Sequence, residues 1–393
     1  MSKDSDYDLA IIGGGIAGPA LAAAAADAGY RTLLIERSAD PLDTARGDHL
    51  QPISCEALER WGVLGRMFER GAEKRLGSRW LLPDGELVVA TPADNLPIPH
   101  PYHLYLNHEL ISEVLLERAA DNPDFSILRP ATARVMPDAV APGTHGLTVE
   151  RDGEQRAINA HCIAIADGRS SRGRKSLGID ATEHQYENPL LTLFARRTFT
   201  DPRNDLNVYL TPAGIVSVVP RMGGNWKIGF PVARAELGDW AGASPKDIGA
   251  RLSGLVPALA GIEPHYAGVY PVAMVNASTW ASGNAVLLGD ACHALHPGRS
   301  QGMNVALRGV ARLAERLRDS DFPASPDAVP ALLADLEAEL KPPIDARLDE
   351  NHARGLAMDR MDAASVEQTR QAMAALAASP EKLHAYCMNA AGY

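Results

Sequence analysis

The chain has 393 residues, 46% of them hydrophobic and 22% charged, with a formal net charge of −11. That length provides for two or three domains around a large buried core, and the composition excludes wholesale disorder. The acidic balance argues against a nucleic-acid partner, which needs a basic face, and more weakly against an anionic membrane surface.

The first elements read strand, glycine turn, helix, strand. Residues 9–12 are a short apolar run of the kind buried in a parallel sheet. Gly13, Gly15 and Gly18 follow in the pattern G-x-G-x-x-G. Residues 17–28 favour helix, with Pro19 tolerable in the first turn and Gly29 placed to end it. Residues 31–36 form a second strand that closes on Glu36, completing a βαβ unit in about 30 residues. Gly13 permits the sharp turn, Gly15 lets the backbone approach a pyrophosphate, and Gly18 lets helix and strand pack closely. The phosphates would meet a helix N-terminus, and Glu36 lies where a carboxylate accepts from ribose hydroxyls. The unit predicts an adenine dinucleotide but leaves FAD and NAD undivided.

Further along, residues 54–61 read as a helix stopped by Gly62, and residues 77–100 as extended segments around a Pro83-Asp84-Gly85 turn. Helix returns over 109–120, with Leu110, Val114 and Leu115 on one face. Short strands fill 126–165. Residues 189–271 read as a second, mostly antiparallel sheet with a hairpin turn at 222–225. Residues 285–288 are another buried strand running into Gly289-Asp290, and Val310, Leu313, Ala314 and Leu317 mark a helix after it. The last seventy residues, from about 321, read as amphipathic helices.

No apolar run approaches the roughly 18 residues of a membrane helix, and the N-terminus carries no apolar signal core, so a cytoplasmic protein is expected. Cys55, Cys162, Cys292 and Cys387 are far apart and form no CxxC pair, as suits a reducing compartment. No HExxH, nucleophile elbow or clustered metal ligands occur, so a metal is not expected.

Two later stretches divide the cofactors. Residues 167–174 read DGRSSRGR, and residues 289–304 read GDACHALHPGRSQGMN. Together with Gly13 to Gly18 and Glu36-Arg37, in this order over about 320 residues, they resemble the three fingerprints of the group A flavoprotein monooxygenases, the p-hydroxybenzoate hydroxylase family. The resemblance implies an α/β fold: a Rossmann-like FAD-binding domain interleaved with a mostly antiparallel β-sheet substrate domain, plus C-terminal helices. The FAD-binding part is expected at 1–79, 101–187 and 272–320, the substrate part at 80–100 and 188–271, and the helical segment at 321–393. That segment would cover the pocket or form a dimer face, in a monomer or homodimer.

The resemblance further implies that Asp290 bonds the ribityl chain and that amides between Pro297 and Asn304 face the flavin pyrimidine edge. Asp167 and Arg174 would support the pyrophosphate and the approach of NADH or NADPH, and Arg46 would reach the phosphates. Ile16, Ala17, Arg37, Val135, Gly302 and Met303 complete the expected cofactor contacts. Three positions depart from the family pattern: Ser300 for glycine, Gly309-Val310 for Asp-Ala, and Asn107 for an FAD-contacting arginine. In the family a nicotinamide reduces the flavin, oxygen adds to form a flavin hydroperoxide, and one oxygen atom passes to the substrate.

The implied reaction is hydroxylation or epoxidation of a largely apolar, aromatic or polyketide-like small molecule near Pro297. Tyr209, Val216, Val218, Pro220, Ile228 and Phe230 are candidate pocket residues on the second sheet, joined by His103 or Tyr105. His49 and His103 are the polar candidates for binding or deprotonating an acidic hydroxyl. His293 and Cys292 read better as packed residues than as catalysts. A reductase of the same fold that does not use oxygen is the alternative. A halogenase lacks its W-x-W-x-I-P pattern here, and a cofactor-free binding scaffold would have lost the glycine and aspartate motifs.

Overall fold

The computed structural model describes residues 6–39, 48–198 and 201–393. Its centre is a six-stranded sheet in the order Ala281–Ser282, Ala285–Leu287, Ala160–Ile165, Tyr7–Ile12, Thr32–Ile35, Phe125–Leu128. All neighbours are parallel except the short edge strand Ala281–Ser282. Because helices cover both faces, residues 9–12 of this strand are apolar at consecutive positions rather than alternating. The first helix, Ala17–Ala24, is nearly all buried, and its small side chains let it lie close to the sheet. It ends earlier than residue 28. Residues Ala26–Ala28 tighten into a 3₁₀ turn before Gly29, whose φ of +66° completes the left-handed exit.

The second layer is a seven-stranded sheet in the order His265–Tyr270, Leu190–Arg196, Asn225–Pro231, Gly214–Arg221, Leu206–Thr211, Gly77–Leu81, Leu87–Pro92. Only the pair Leu206–Thr211 and Gly77–Leu81 is parallel. The hairpin at 222–225 turns on Gly223 and Gly224, with φ of +72° and +70°, a left-handed conformation that glycine adopts without strain. The division expected between residues 79 and 80 falls inside one strand, Gly77–Leu81.

Alternation along these strands places Tyr209, Val216, Val218, Ile228 and Phe230 on one face, packed against Trp240, Ile248 and Leu252. Pro220 pairs with Trp226 on that same face. These residues are therefore core beneath the helix Pro245–Leu255 and not the substrate surface expected of them. The opposite face carries Arg221 and Lys227, which turn toward Asp48. A strand pattern reveals two faces but not which one meets the other layer.

The C-terminal segment is helical, as expected: Val329–Asp359, Ala363–Ala377 and Pro380–Ala391. Leu333, Leu336, Leu340, Ile344 and Leu348 form one stripe of the long helix and join the core of the six-stranded sheet. Its Glu337 accepts from Thr279 Oγ1 and from the amides of Trp280 and Ala281 at 2.7–2.9 Å, fixing the helix to the sheet edge. The last helix packs on Ala93 and Leu96. Among the described residues no helix is long and apolar enough to cross a membrane.

If that stripe is integral core, Leu340→Ala should cost about 2–5 kcal/mol in denaturant unfolding, within a single transition. An unchanged midpoint would show that the segment is merely attached.

Candidate cofactor and active site

The glycine turn is built from steric necessity. A Cβ on Gly13 would lie 2.2 Å from the Ala166 carbonyl oxygen, and one on Gly18 would lie 2.0 Å from the Gly13 carbonyl oxygen. Around Gly15 nothing lies within 4 Å, so the backbone there faces open space at the start of the first helix. Ile16 and Ala17 are buried beside it. Glu36 accepts from the Gly14 amide at 2.5 Å and from the Ser38 amide at 2.7 Å, which holds its carboxylate at the mouth of the turn. Ser112, a residue with no sequence signal, donates to the Gly14 carbonyl at 3.1 Å.

Asp167 follows strand Ala160–Ile165. One of its oxygens accepts from the amides of Arg172 and Gly173, at 2.8 and 3.0 Å, and its other oxygen is buried without a partner. Arg174 does not point to a cofactor. It is fully buried, donates to the Ala291 carbonyl at 2.9 Å and pairs with Glu183 at 2.9 Å. It thus ties the second motif to the third, a structural role that its spacing could not reveal. Gly289 brings that third motif within 3.2 Å of the Ala17 side chain, measured from a built Cβ. Asp290 stands exposed in the turn that follows.

From Pro297 the chain makes a 3₁₀ turn and enters the helix Gly302–Arg318. Pro297 is exposed. The first amides of any helix lack intrahelical acceptors, and Gln301 supplies no side-chain cap here. Gly302, Met303 and Asn304 therefore begin the helix with donors available to an anion. Ser300 sits at φ +51°, the left-handed region, which accounts for the glycine usual at this place. Gly309 has no atom within 4 Å of a built Cβ, so nothing steric demands glycine there, and Val310 is core.

Asn304 spends its side chain on the protein. Its oxygen accepts from the Gln51 amide at 2.7 Å and Ser54 Oγ at 2.8 Å, and its Nδ2 donates to the carbonyls of His49 and Ser300. His49 thereby sits beside the helix start. It belongs to a small sheet of His49–Leu50, His103–Tyr105 and Glu73–Arg75. His49, His103, Tyr105 and Arg75 share one face of it. The rings of His49 and His103 are 4.7 Å apart, and Arg75 donates to His49 Nδ1 at 2.9 Å. An arginine can only donate, so His49 accepts as a neutral imidazole. Burial, reinforced by the Arg75 charge, holds both histidines well below the usual imidazole range. They are hydrogen-bonding groups more than strong bases.

Beside them Asp48 is buried, accepts from Arg221 at 3.1 Å and lies 3.7 Å from Lys227. Burial raises its pKa against the pull of both cations.

The long C-terminal helix clamps the Pro297 turn from the other side. Asn351 accepts from the His296 amide at 2.7 Å and donates to the His296 carbonyl at 3.1 Å. Met358 lies against Gly298, and Asp359 accepts from the amides of Glu187 and Asn188. None of these was legible as a site residue, because their role is contact with a turn distant in the sequence.

Several expected contacts fare differently. Asn107 caps the helix His108–Ala119 without a side-chain cap bond, and its Oδ1 is buried and unpartnered. Val135 is 1% exposed, packed in the core, so its side chain has no surface for a ligand. Arg37 is exposed at the end of the second strand. Arg46 lies outside the described residues. His293 packs against Trp280 at 5.4 Å, and Cys292 is buried with its thiol pushed up by desolvation. Among the described residues no three His, Cys, Asp or Glu side chains cluster as metal ligands.

Two measurements follow. Gly18→Ala should disrupt folding, whereas Gly15→Ala should keep the unfolding midpoint of the cofactor-free protein but lose flavin affinity. Equal behaviour of the two variants would refute this division. Burial also pushes His293 and His296 down to about 4 from an ordinary 6.5. The unfolded chain then binds protons that the folded chain refuses, so stability is full above about pH 6.5 and falls as pH drops toward 4. The thermal midpoint should already decline between about pH 6.5 and 5, before most carboxylates titrate; a flat profile there would contradict the burial.

Comparison with known proteins adds an independent line. A family profile described as "FAD binding domain" matches residues 6–342. An FAD-dependent monooxygenase of Aspergillus terreus, terD, is 26% identical over 328 residues, which cover 77% of this chain and 52% of that protein. The chain thus spans about half the length of that relative. A 6-methylpretetramide 4-monooxygenase of Streptomyces rimosus is 29% identical over 333 residues, 80% of this chain and 77% of that protein. In three dimensions, the p-nitrophenol 4-monooxygenase PnpA of Pseudomonas putida superposes with a TM-score of 0.80 at 18% identity, covering 97% and 96% of the two chains. The glycine turn, the Asp167 turn and the 289–304 stretch all fall within the matched span.

Proposed function

The chain belongs to the FAD binding domain family, and from that premise we propose that it is an FAD-dependent monooxygenase hydroxylating an aromatic or polyketide-like small molecule. The observation that carries the reading is the convergence of three separated motifs on one site. Gly15 faces open space, Asp167 keeps a buried oxygen unpartnered, and the helix at Gly302 starts with free amides. Each is a vacancy of the kind that an anionic, hydroxyl-rich dinucleotide satisfies. Relatives named for monooxygenation favour oxygen transfer over simple reduction.

FAD, when bound, supplies the redox chemistry: electrons come from NADH or NADPH, one oxygen atom enters the substrate and the other leaves as water. The residues of this chain perform the rest. The Gly15 amide and the start of the first helix would hold the pyrophosphate, and Glu36, braced by the Gly14 amide, would hold the adenosine ribose. Asp290 would hold the ribityl chain, and the unpartnered oxygen of Asp167 would accept from a hydroxyl of the cofactor. Amides at Gly302, Met303 and Asn304 stabilise negative charge at the pyrimidine edge. His49, His103 and Tyr105 border the substrate, and the Asn351 clamp keeps the Pro297 turn in place.

We expect purified protein to show the visible absorbance of bound flavin and Asp290→Ala to lose most of it. Phenolic compounds should stimulate NADH or NADPH oxidation with matching oxygen uptake. Colourless protein that takes up no FAD would sink the reading. Undiminished turnover without air would make it a reductase.

A further inference from the structure

Arg75 is 3% exposed and has no ion-pair partner among the described residues, and its Nε has no hydrogen-bond partner. Its pKa is lowered by burial only to about 10, so it stays charged at neutral pH. An isolated buried cation is costly, and folded chains rarely keep one without an anion to meet it. The carboxylate whose charge reaches it, Asp205, is already ion-paired with Arg203 at 3.0 Å. Asp48 serves Arg221 and Lys227 instead. The groups in direct contact with Arg75 are neutral: His49 at 2.9 Å, and the Tyr105 ring 5.9 Å from its guanidinium carbon; Glu73, on the same sheet face, is ion-paired with Arg197.

The neighbours are also incomplete. His103 Nδ1 and Tyr105 Oη are buried without partners on the same sheet face as Arg75 Nε. Three orphaned polar atoms together, two of them able to donate and one a neutral imidazole nitrogen, describe a complement to a single oxyanion. Asn304, at the start of the helix proposed to meet the flavin, bonds the His49 backbone and places this face beside the reacting centre.

Resting on the monooxygenase reading, we infer that Arg75, with His49, His103 and Tyr105, forms an oxyanion site that binds the aromatic substrate through a phenolate or carboxylate oxygen. Arg75 supplies the charge. The neutral histidines and Tyr105 supply hydrogen bonds without a competing charge. The substrate is then an otherwise apolar ring system with one acidic group, anchored at that group, with the remaining ring presented to the flavin.

The test uses flavin-loaded protein and equilibrium dialysis with two pairs of probes: 4-nitrophenol against 4-nitroanisole, and benzoate against methyl benzoate. Wild type should bind the anionic member of at least one pair about tenfold or more tightly than its neutral partner, and the preferred pair tells phenolate from carboxylate. Arg75→Gln should abolish that preference, and Arg75→Lys should restore part of it. Without ligand, Arg75→Gln should unfold at the same temperature as wild type or higher, since it relieves an unpaired buried charge.

A preference missing in wild type, or persisting in Arg75→Gln, overturns the site. So does a lowered midpoint in Arg75→Gln, which would make Arg75 a structural tie. Loss of flavin from Arg75→Gln with the preference intact would assign the arginine to the cofactor instead. Failure of the monooxygenase reading is separate, because it shows as wild-type protein that binds no flavin or consumes no oxygen.

Discussion

The side chain of Asn304 makes four hydrogen bonds to three parts of the chain: the His49–Gln51 segment, Ser54 and Ser300. Through them the start of one helix and a two-residue strand some 250 positions away are held in one register. The proposed flavin edge and the histidines proposed to border the substrate are thus linked through one side chain. A second fixed link, Arg174 to the Ala291 carbonyl, ties the Asp167 turn to the Gly289 turn. A third, Asn351 to both backbone groups of His296, holds the Pro297 turn against the C-terminal helix. Each is a buried polar group that bonds backbone of a distant segment, which makes the geometry expensive to distort.

That rigidity gives the electrostatics their meaning. Asp48 pairs with Arg221 and Lys227, whereas Arg75 has no ion pair among the described residues and bonds the neutral His49. The charge on Arg75 in turn disfavours protonation of His49 and His103. Together with burial, the same cation therefore keeps its companions neutral, the form that the proposed oxyanion site requires. Proton control at such a site rests on charge placement more than on a strong general base.

Much of the cofactor end was legible from local pattern. Gly18 is required by a 2.0 Å contact within one βαβ unit, which a glycine signature records directly, whereas the 2.2 Å contact that requires Gly13 is with Ala166, distant in the chain. The departure at Ser300 also became intelligible, since its φ of +51° shows what the usual glycine provides. The substrate end was not legible. Tyr209, Val218, Pro220 and Ile228 have the right composition for a pocket, but they face the helix Pro245–Leu255, because alternation cannot say which face of a sheet is covered by what. Val135 likewise matched by position and proved to be core.

The sequence by itself determined the cofactor class, the order of the elements and the turns that approach a dinucleotide. Each of these signatures is a local run in which sterics and backbone geometry leave few alternatives, although the cofactor class needed three such runs spread over about 320 residues. Only the tertiary structure decided which polar residues share the active centre. Arg75, Asp48 and Asn351 carry no local signature; their significance lies in burial and in the charges that remain unmatched once distant segments pack together.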